Sequence, residues 1–309
     1  MKKRNQITLV LSFLFVSTFL FSQNERLIIG RTTGKLSIGK KLPIRTFGFT
    51  NSLSGQVTLP GSDINVKAGD SVHIDFWNIS QGNPVSLYCR EIDFEQRNTE
   101  NEVLTKKEPV HHMVHGFYSF QAQKTGTYLY YSPENYPFNL QAGMFGVIIV
   151  RPEGKDSEAE EKLWCSFEID TKWHTDAIMG TAYDDSNKPV ILPDYKPDYF
   201  LINGQTAPKT KGLQSLQNKK GTMLLRLVNA GLYLHEIQFP AKAELQLIFG
   251  KTASLVPLSE GCLVKLHPGE CLELLVSLQQ VTDKEKINYH FIDPILSQVH
   301  YSASIPVFY

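Results

Sequence analysis

The chain has no excess of either charge. Its 309 residues carry 31 Lys and Arg against 31 Asp and Glu, so neither a nucleic acid nor an acidic membrane surface is an expected partner. It has only four cysteines, Cys89, Cys165, Cys262 and Cys271, and no Cys-x-x-Cys pair among them, which leaves redox catalysis and a structural zinc without support. No His-x-His pair occurs anywhere, and no Ser-His-Asp order, phosphate-cradling glycine loop or acid pair stands out. No segment carries a convincing 3.6-residue apolar period. The apolar run Ile7 to Phe21 falls short of the roughly 20 residues that cross a bilayer.

What is present begins with that run. Lys2, Lys3 and Arg4 precede it and Ser22-Gln23 follow it, the order of a cleaved signal peptide over residues 1–22. The mature protein is therefore expected in a periplasmic or secreted location, without a transmembrane span after cleavage. Export makes the four cysteines candidates for disulfides, with three connectivities. A hairpin at His267-Pro268-Gly269-Glu270 would set Cys271 opposite Leu266, so no Cys262–Cys271 bond is expected. Short β-favouring runs then recur between turn signals: Arg45–Phe49, Val72–Asn78, Leu87–Ile92, His115–Gln121, Gly126–Tyr131 and Phe145–Val150. The charged stretch Glu153 to Lys162 has no apolar face and reads as a linker between a first domain over residues 23–154 and a second over 155–309. The fold class is all-β, two tandem sandwiches.

Several motifs carry a family resemblance. Gly126-Thr127-Tyr128-x-Tyr130, Gly143-Met144-x-Gly146 and Val150 resemble the multicopper oxidases and two-domain copper nitrite reductases. So do Leu59-Pro60-Gly61 with Gly69-Asp70-Ser71-Val72, Tyr199–Gly204, Gly221–Gly231 and Leu266-His267-Pro268-Gly269-Glu270. The resemblance implies cupredoxin-like Greek-key domains and, from the nitrite reductases alone, a homo-oligomer. It also places Tyr131 where the family has its first His, Asn139 where a further His would stand, and Arg90 and Glu95 near other copper-binding His positions. Asp93 stands at a catalytic Asp position, and His235 at a common second-domain His. Met144 alone fits, as a weak axial ligand. No cofactor is expected at the standard family sites, and copper enters only through the resemblance.

His111, His112 and His115 form the one imidazole cluster, the candidate metal ligands of the sequence. In an extended chain His111 and His115 share a face about 13 Å apart at roughly 3.3 Å per residue, too far for one metal unless the segment bends. Asp93 is expected to pair with Arg90. Tyr131 and Tyr136 are expected to pack on Met144, Phe138 and neighbours from the Leu87–Phe94 strand, filling the loop rather than lining a cleft. Together these residues imply a degenerate, non-catalytic binding or structural module with an unknown protein or small-molecule partner. The alternative is a copper-dependent oxidoreductase with a divergent site.

Overall fold

A computed structural model describes residues 23–38, 43–80, 84–154, 160–184, 190–213, 221–258 and 261–309. The expected signal peptide over residues 1–22 and residues 155–159 of the expected linker lie outside them. The first half contains β1 (Gln23–Leu36), β2 (Ile44–Thr50), β3 (Ile64–Lys67), β4 (Ser71–Asn78), β5 (Tyr88–Cys89), β6 (Glu95–Arg97), β7 (Val114–Gln121), β8 (Gly126–Tyr131), helix α1 (Phe138–Ala142) and β9 (Phe145–Arg151). The second contains β10 (Glu160–Ile169), helix α2 (Asp176–Asp184), β11 (Tyr199–Ile202), β12 (Gln205–Thr206), β13 (Thr222–Asn229), β14 (Leu234–Phe239), β15 (Glu244–Phe249), β16 (Leu255–Leu258), β17 (Gly261–Leu266), β18 (Cys271–Ser277), β19 (Lys286–Ile292) and β20 (Val299–Pro306).

The strands stack as two sheets in each half, ordered β2-β1-β4-β7-β6 against β3-β9-β8-β5, and β12-β11-β10-β13-β18-β15 against β16-β17-β14-β19-β20. The parallel neighbours β1 and β4, β3 and β9, and β10 and β13 lie far apart in sequence, so crossovers between the sheets build each sandwich. Strand β4 shows why these sequences fold this way. Val72, Ile74 and Phe76 are buried while His73, Asp75 and Trp77 face outward, the period of two that lets one sheet face close a core. At the β3–β4 turn Gly69 takes φ +93° and Asp70 accepts the Lys67 N–H, as the Gly-Asp pair requires.

A third core joins the halves. Leu129, Val147 and Ile149 from β8 and β9 pack with Phe167, Leu201 and Val228, and Phe145 meets Phe167 edge-on at 5.1 Å. Beside it Arg226, almost fully buried, bonds Glu161 at 3.2 Å and Glu273, and donates to the Thr127 hydroxyl of β8 at 3.1 Å. The Thr127 hydroxyl in turn donates to Glu273 at 2.7 Å.

All four cysteines are free thiols. The hairpin expected at His267–Glu270 does not form. The chain there crosses between sheets, so Cys262 lies opposite Phe239 and Cys271 opposite Val228. Gly269 at φ +75° and the Glu270 carboxylate, which accepts the His267 N–H, make that turn look the same in sequence as a hairpin.

Candidate functional site

The site builds outward from the β8–β9 connection. Tyr131 pairs with Phe145 and Tyr130 with Gly146, and the intervening residues fold back through α1, whose end Gly143 caps at φ +115°, a conformation that favours glycine. Ser132 N–H donates to the Met144 carbonyl at 3.0 Å, and Met144 N–H to the Asn139 carbonyl at 2.9 Å. Ser132, Asn139 and Met144 have no exposed surface. The Asn139 amide donates to Ser132 Oγ at 3.0 Å, and Ser132 Oγ donates to Glu134 at 2.6 Å. Glu134 also accepts from the backbone N–H and the hydroxyl of Ser86. A hydroxyl, an amide and a carboxylate thus close the loop with hydrogen bonds, and Met144 supplies a buried thioether beside them.

Along β8 the tyrosines part company. Tyr128 and Tyr130 enter the first-half core, whereas Leu129 and Tyr131 face the second half. Tyr131 therefore does not pack on Met144 and Phe138 as the sequence reading expected, because those two belong to the core on the other side of the strand. Tyr136, 58 % exposed, does not fill the loop either. The expected contact with the Leu87–Phe94 segment does form: Tyr131 meets Tyr88 of β5 edge-on at 5.3 Å and lies 6.2 Å from Tyr136. A cavity of about 160 Å³ opens there, lined by Arg90, Tyr131, Tyr136 and Leu140 from one half and by Pro268 and Gly269 from the other. Burial pushes the Tyr131 hydroxyl up to about 12, so it stays a proton donor at neutral pH. No hydroxyl of Tyr88, Tyr131 or Tyr136 has a hydrogen-bond partner among the described residues.

The acids and bases of the neighbouring segment pair differently from expectation. Arg90 bonds Glu91 at 2.7 Å rather than Asp93, which takes Lys107. The chain leaves the strand after Cys89 and bends at residues 90–92, so the neighbouring Arg90 and Glu91 side chains meet instead of pointing to opposite faces as they would in an extended strand. Glu95 lies in the other sheet of the half, bonded to Arg97, so it is not brought to the Arg90 and Tyr131 cavity.

The imidazoles are dispersed. Met113 takes φ +60° and Val114 N–H donates to the His111 carbonyl at 3.1 Å, so the run is a turn and not the extended segment assumed from sequence. His111 and His112 are exposed, while His115 bonds Asp75 at 2.6 Å and stacks on Trp77 at 4.9 Å. Among the described residues no three His, Cys, Asp or Glu side chains gather in a metal-holding arrangement. His235 is buried in the second half, with Nδ1 on Ser166 Oγ at 2.8 Å and Nε2 on Glu168 at 3.2 Å.

Residues 170–184 and 190–198, which no sequence signal singled out, cover α1. Trp173 and Met179 enter the first-half core, and the Tyr195 hydroxyl donates to Gln141 of α1 at 2.6 Å. His174 Nδ1 donates to the Arg45 carbonyl of β2 at 2.7 Å. Only the lone Trp173 in a polar stretch could have flagged this clamp. Burial lowers the His174 pKa, opposed by its carbonyl acceptors and by Asp170 and Asp198, so the folded protein holds this imidazole neutral. Unfolded His174 takes its proton near pH 6.5 and the folded one only at lower pH, so its contribution is full above about pH 6.5 and is lost as pH falls through the lowered value. Replacing it by His174→Gln should flatten the decline of the melting midpoint between pH 6.5 and 5. An unchanged slope would place the decline elsewhere.

Residues 51–155 match the family model for multicopper oxidase. No curated protein matches the chain. Among solved structures it is similar to a blue copper oxidase from Nitrosomonas europaea, at 19 % identity and TM-score 0.64, covering 92 % of this chain and 86 % of that one. It is also similar to a copper nitrite reductase from Nitrosomonas europaea, at 18 % identity and TM-score 0.55, covering 93 % of this chain and 94 % of that one. A third is Fet3p, a multicopper oxidase that functions in iron import, at 17 % identity and TM-score 0.62, covering 92 % of this chain and 53 % of that one. At these identities the likeness is one of fold, and the all-β, cupredoxin-like architecture expected from sequence stands. No helix of the described residues is long and apolar enough to cross a membrane.

Proposed function

We propose that this cupredoxin-like chain, built on the fold of the multicopper oxidases and copper nitrite reductases, is an exported, non-catalytic module that binds a small ligand at the Tyr131 cavity. The observation that carries the proposal is the hydrogen-bonded closure of Ser132, Asn139 and Glu134 beside Met144. A blue-copper site takes two imidazoles and a thiolate in a plane, and a hydroxyl, an amide and a thioether do not make that donor set. Arg90 and Tyr131, at further positions where the resemblance expects imidazole, are a guanidinium that cannot ligate and a phenol held protonated. Residues that do not fit copper supply no step through it. What they offer is a half-buried cleft lined by two tyrosines, Tyr131 and Tyr136, whose hydroxyls have no partner among the described residues, the surroundings that hold a small molecule. Export rests on the basic start and apolar run of residues 1–22.

Copper(II) added in excess and then dialysed away tests this. Less than one equivalent should remain per chain, with no intense thiolate-to-copper colour. One tightly held copper with that colour would end the proposal. A colourless stoichiometric copper lost on His111→Ala, His112→Ala or His115→Ala would instead favour the divergent copper oxidoreductase.

A further inference from the structure

The outer face of the β4–β7 sheet carries a column of stacked rings that ends at an open hollow, apart from the Tyr131 cavity. Three residues of β4 and three of β7 project from that face in register: Trp77 opposite His115, Asp75 opposite Phe117, and His73 opposite Ser119. The rings form a column. Trp77 and His115 are 4.9 Å apart at 21°, and His115 and Phe117 are 6.3 Å apart at 22°. Alternate residues on a strand repeat about every 6.6 Å, so the column runs in step with the strand, and its next step falls on Ser119, which has no ring.

A hollow of about 400 Å³ opens at that step, lined by Phe117, His73, Asp75, Arg97, Glu25 and Arg26. Neither Trp77 nor His115 borders it, so it lies on the side of Phe117 away from the existing stack. His73, Arg97 and Ser119 also border a wider groove of about 850 Å³, which leaves room for substituents on whatever occupies the slot.

The polar groups decide the chemistry. Arg26 is spent on the carbonyls of Glu25 and Asn65, and Arg97 on Glu95 and the Asn101 carbonyl. Asp75 holds His115. The Glu25 carboxylate and the His73 imidazole, which face each other across β1 and β4, have no partner among the described residues. The slot therefore offers one aromatic face and, at Glu25, a carboxylate with no hydrogen-bond or ion-pair partner among the described residues, while the Arg26 and Arg97 donors are already engaged.

We propose that this slot binds a planar aromatic amine, its ring stacked on Phe117 as the fourth slab of the column and its ammonium or amino group directed to Glu25 and His73. An offset stack favours a flat π-system over a saturated ring, and the free carboxylate favours a cation over an anion of the same shape.

Calorimetric titration of the purified protein with three probes separates these requirements. Tryptamine should bind at least tenfold more tightly than indole-3-acetate, which keeps the ring and reverses the charge. It should also bind at least tenfold more tightly than cyclohexylamine, which keeps the charge and loses the aromatic face. Ser119→Phe puts a ring where the ligand would lie, and should abolish tryptamine binding while leaving the melting midpoint within a few degrees. Phe117→Leu keeps the bulk without the π-face and should weaken binding at least tenfold, a second reading should Ser119→Phe fold poorly. Equal affinity for tryptamine and indole-3-acetate, no binding of tryptamine, or tryptamine binding untouched by Phe117→Leu would each overturn the proposal. Copper retention at the other site does not bear on it.

Discussion

Arg226→Ala is expected to destabilise the protein by about 3 to 5 kcal/mol, a large share of the roughly 5 to 15 available to a domain. The side chain is 3 % exposed and stands between Glu161 and Glu273, with the Thr127 hydroxyl of the first half completing the ring of bonds. Removing the guanidinium leaves a buried carboxylate at Glu273 with Thr127 as its one donor among the described residues, and the loss reaches across the junction of the halves. The cost should come from the orphaned charge, not from lost attraction. Arg226→Met combined with Glu273→Leu, which removes both charges and keeps the volume, should therefore recover most of the stability. Burial alone would raise Glu161, but the hydrogen bonds and charges of Arg226 and Arg151 outweigh it and hold its pKa below the ordinary range. That contribution is full above the ordinary carboxylate pKa and is lost as pH falls through the depressed value, so Arg226→Ala should also show a shallower loss of stability in acid. Urea midpoints at pH 7 and pH 4 check both. A single variant as stable as the parent would mean that the two halves hold together without this network.

The same network marks where sequence reading stopped. Runs with clear alternation became strands close to their expected ends: Gly126–Tyr131 unchanged, and Phe145–Val150 extended by one residue. Gly69-Asp70 gave the turn that its chemistry requires. Leu87–Ile92, by contrast, yielded only Tyr88–Cys89, because the charged alternation after Cys89 runs along the surface without a ladder partner. Helix α1 has five residues, too few for a 3.6-residue period to register, and is set by Gly143 and by packing. Nothing local distinguishes the turn at His267–Glu270 that changes sheets from one that makes a hairpin, so the partners of Cys262 and Cys271 lay beyond local reasoning. A period of two sets Tyr130 and Tyr131 on opposite faces of β8. Which of the two faces the first-half core depends on long-range pairing with β9 and on the second half lying against β8, and neither is written in the loop.

Tyr130→Ala is expected to cost about 3 to 5 kcal/mol, and Tyr131→Ala only about 1, although the two residues are adjacent and chemically identical. Tyr130 has no exposed surface. Its ring stacks on Phe49 at 5.5 Å, its hydroxyl donates to the Ser62 carbonyl, and it lies so close over Gly146 that a β-carbon there would overlap the ring. Truncation would open a cavity and strand the Ser62 carbonyl, two losses that add. Tyr131 is half-buried at the edge of the inter-half cavity and its hydroxyl bonds none of the described residues, so removing the ring forfeits contact area without leaving a buried polar group among them alone. Gly146→Ala should reproduce most of the Tyr130 penalty from the opposite side, since the ring has no other place to lie. The test is a thermal series on the three variants with the parent. The binding proposal adds that Tyr131→Ala, folded and nearly as stable as the parent, should lose any ligand that co-purifies in the cavity, whereas a loss of stability for Tyr131→Ala equal to that of Tyr130→Ala would make the ring structural and remove the cavity as a binding site.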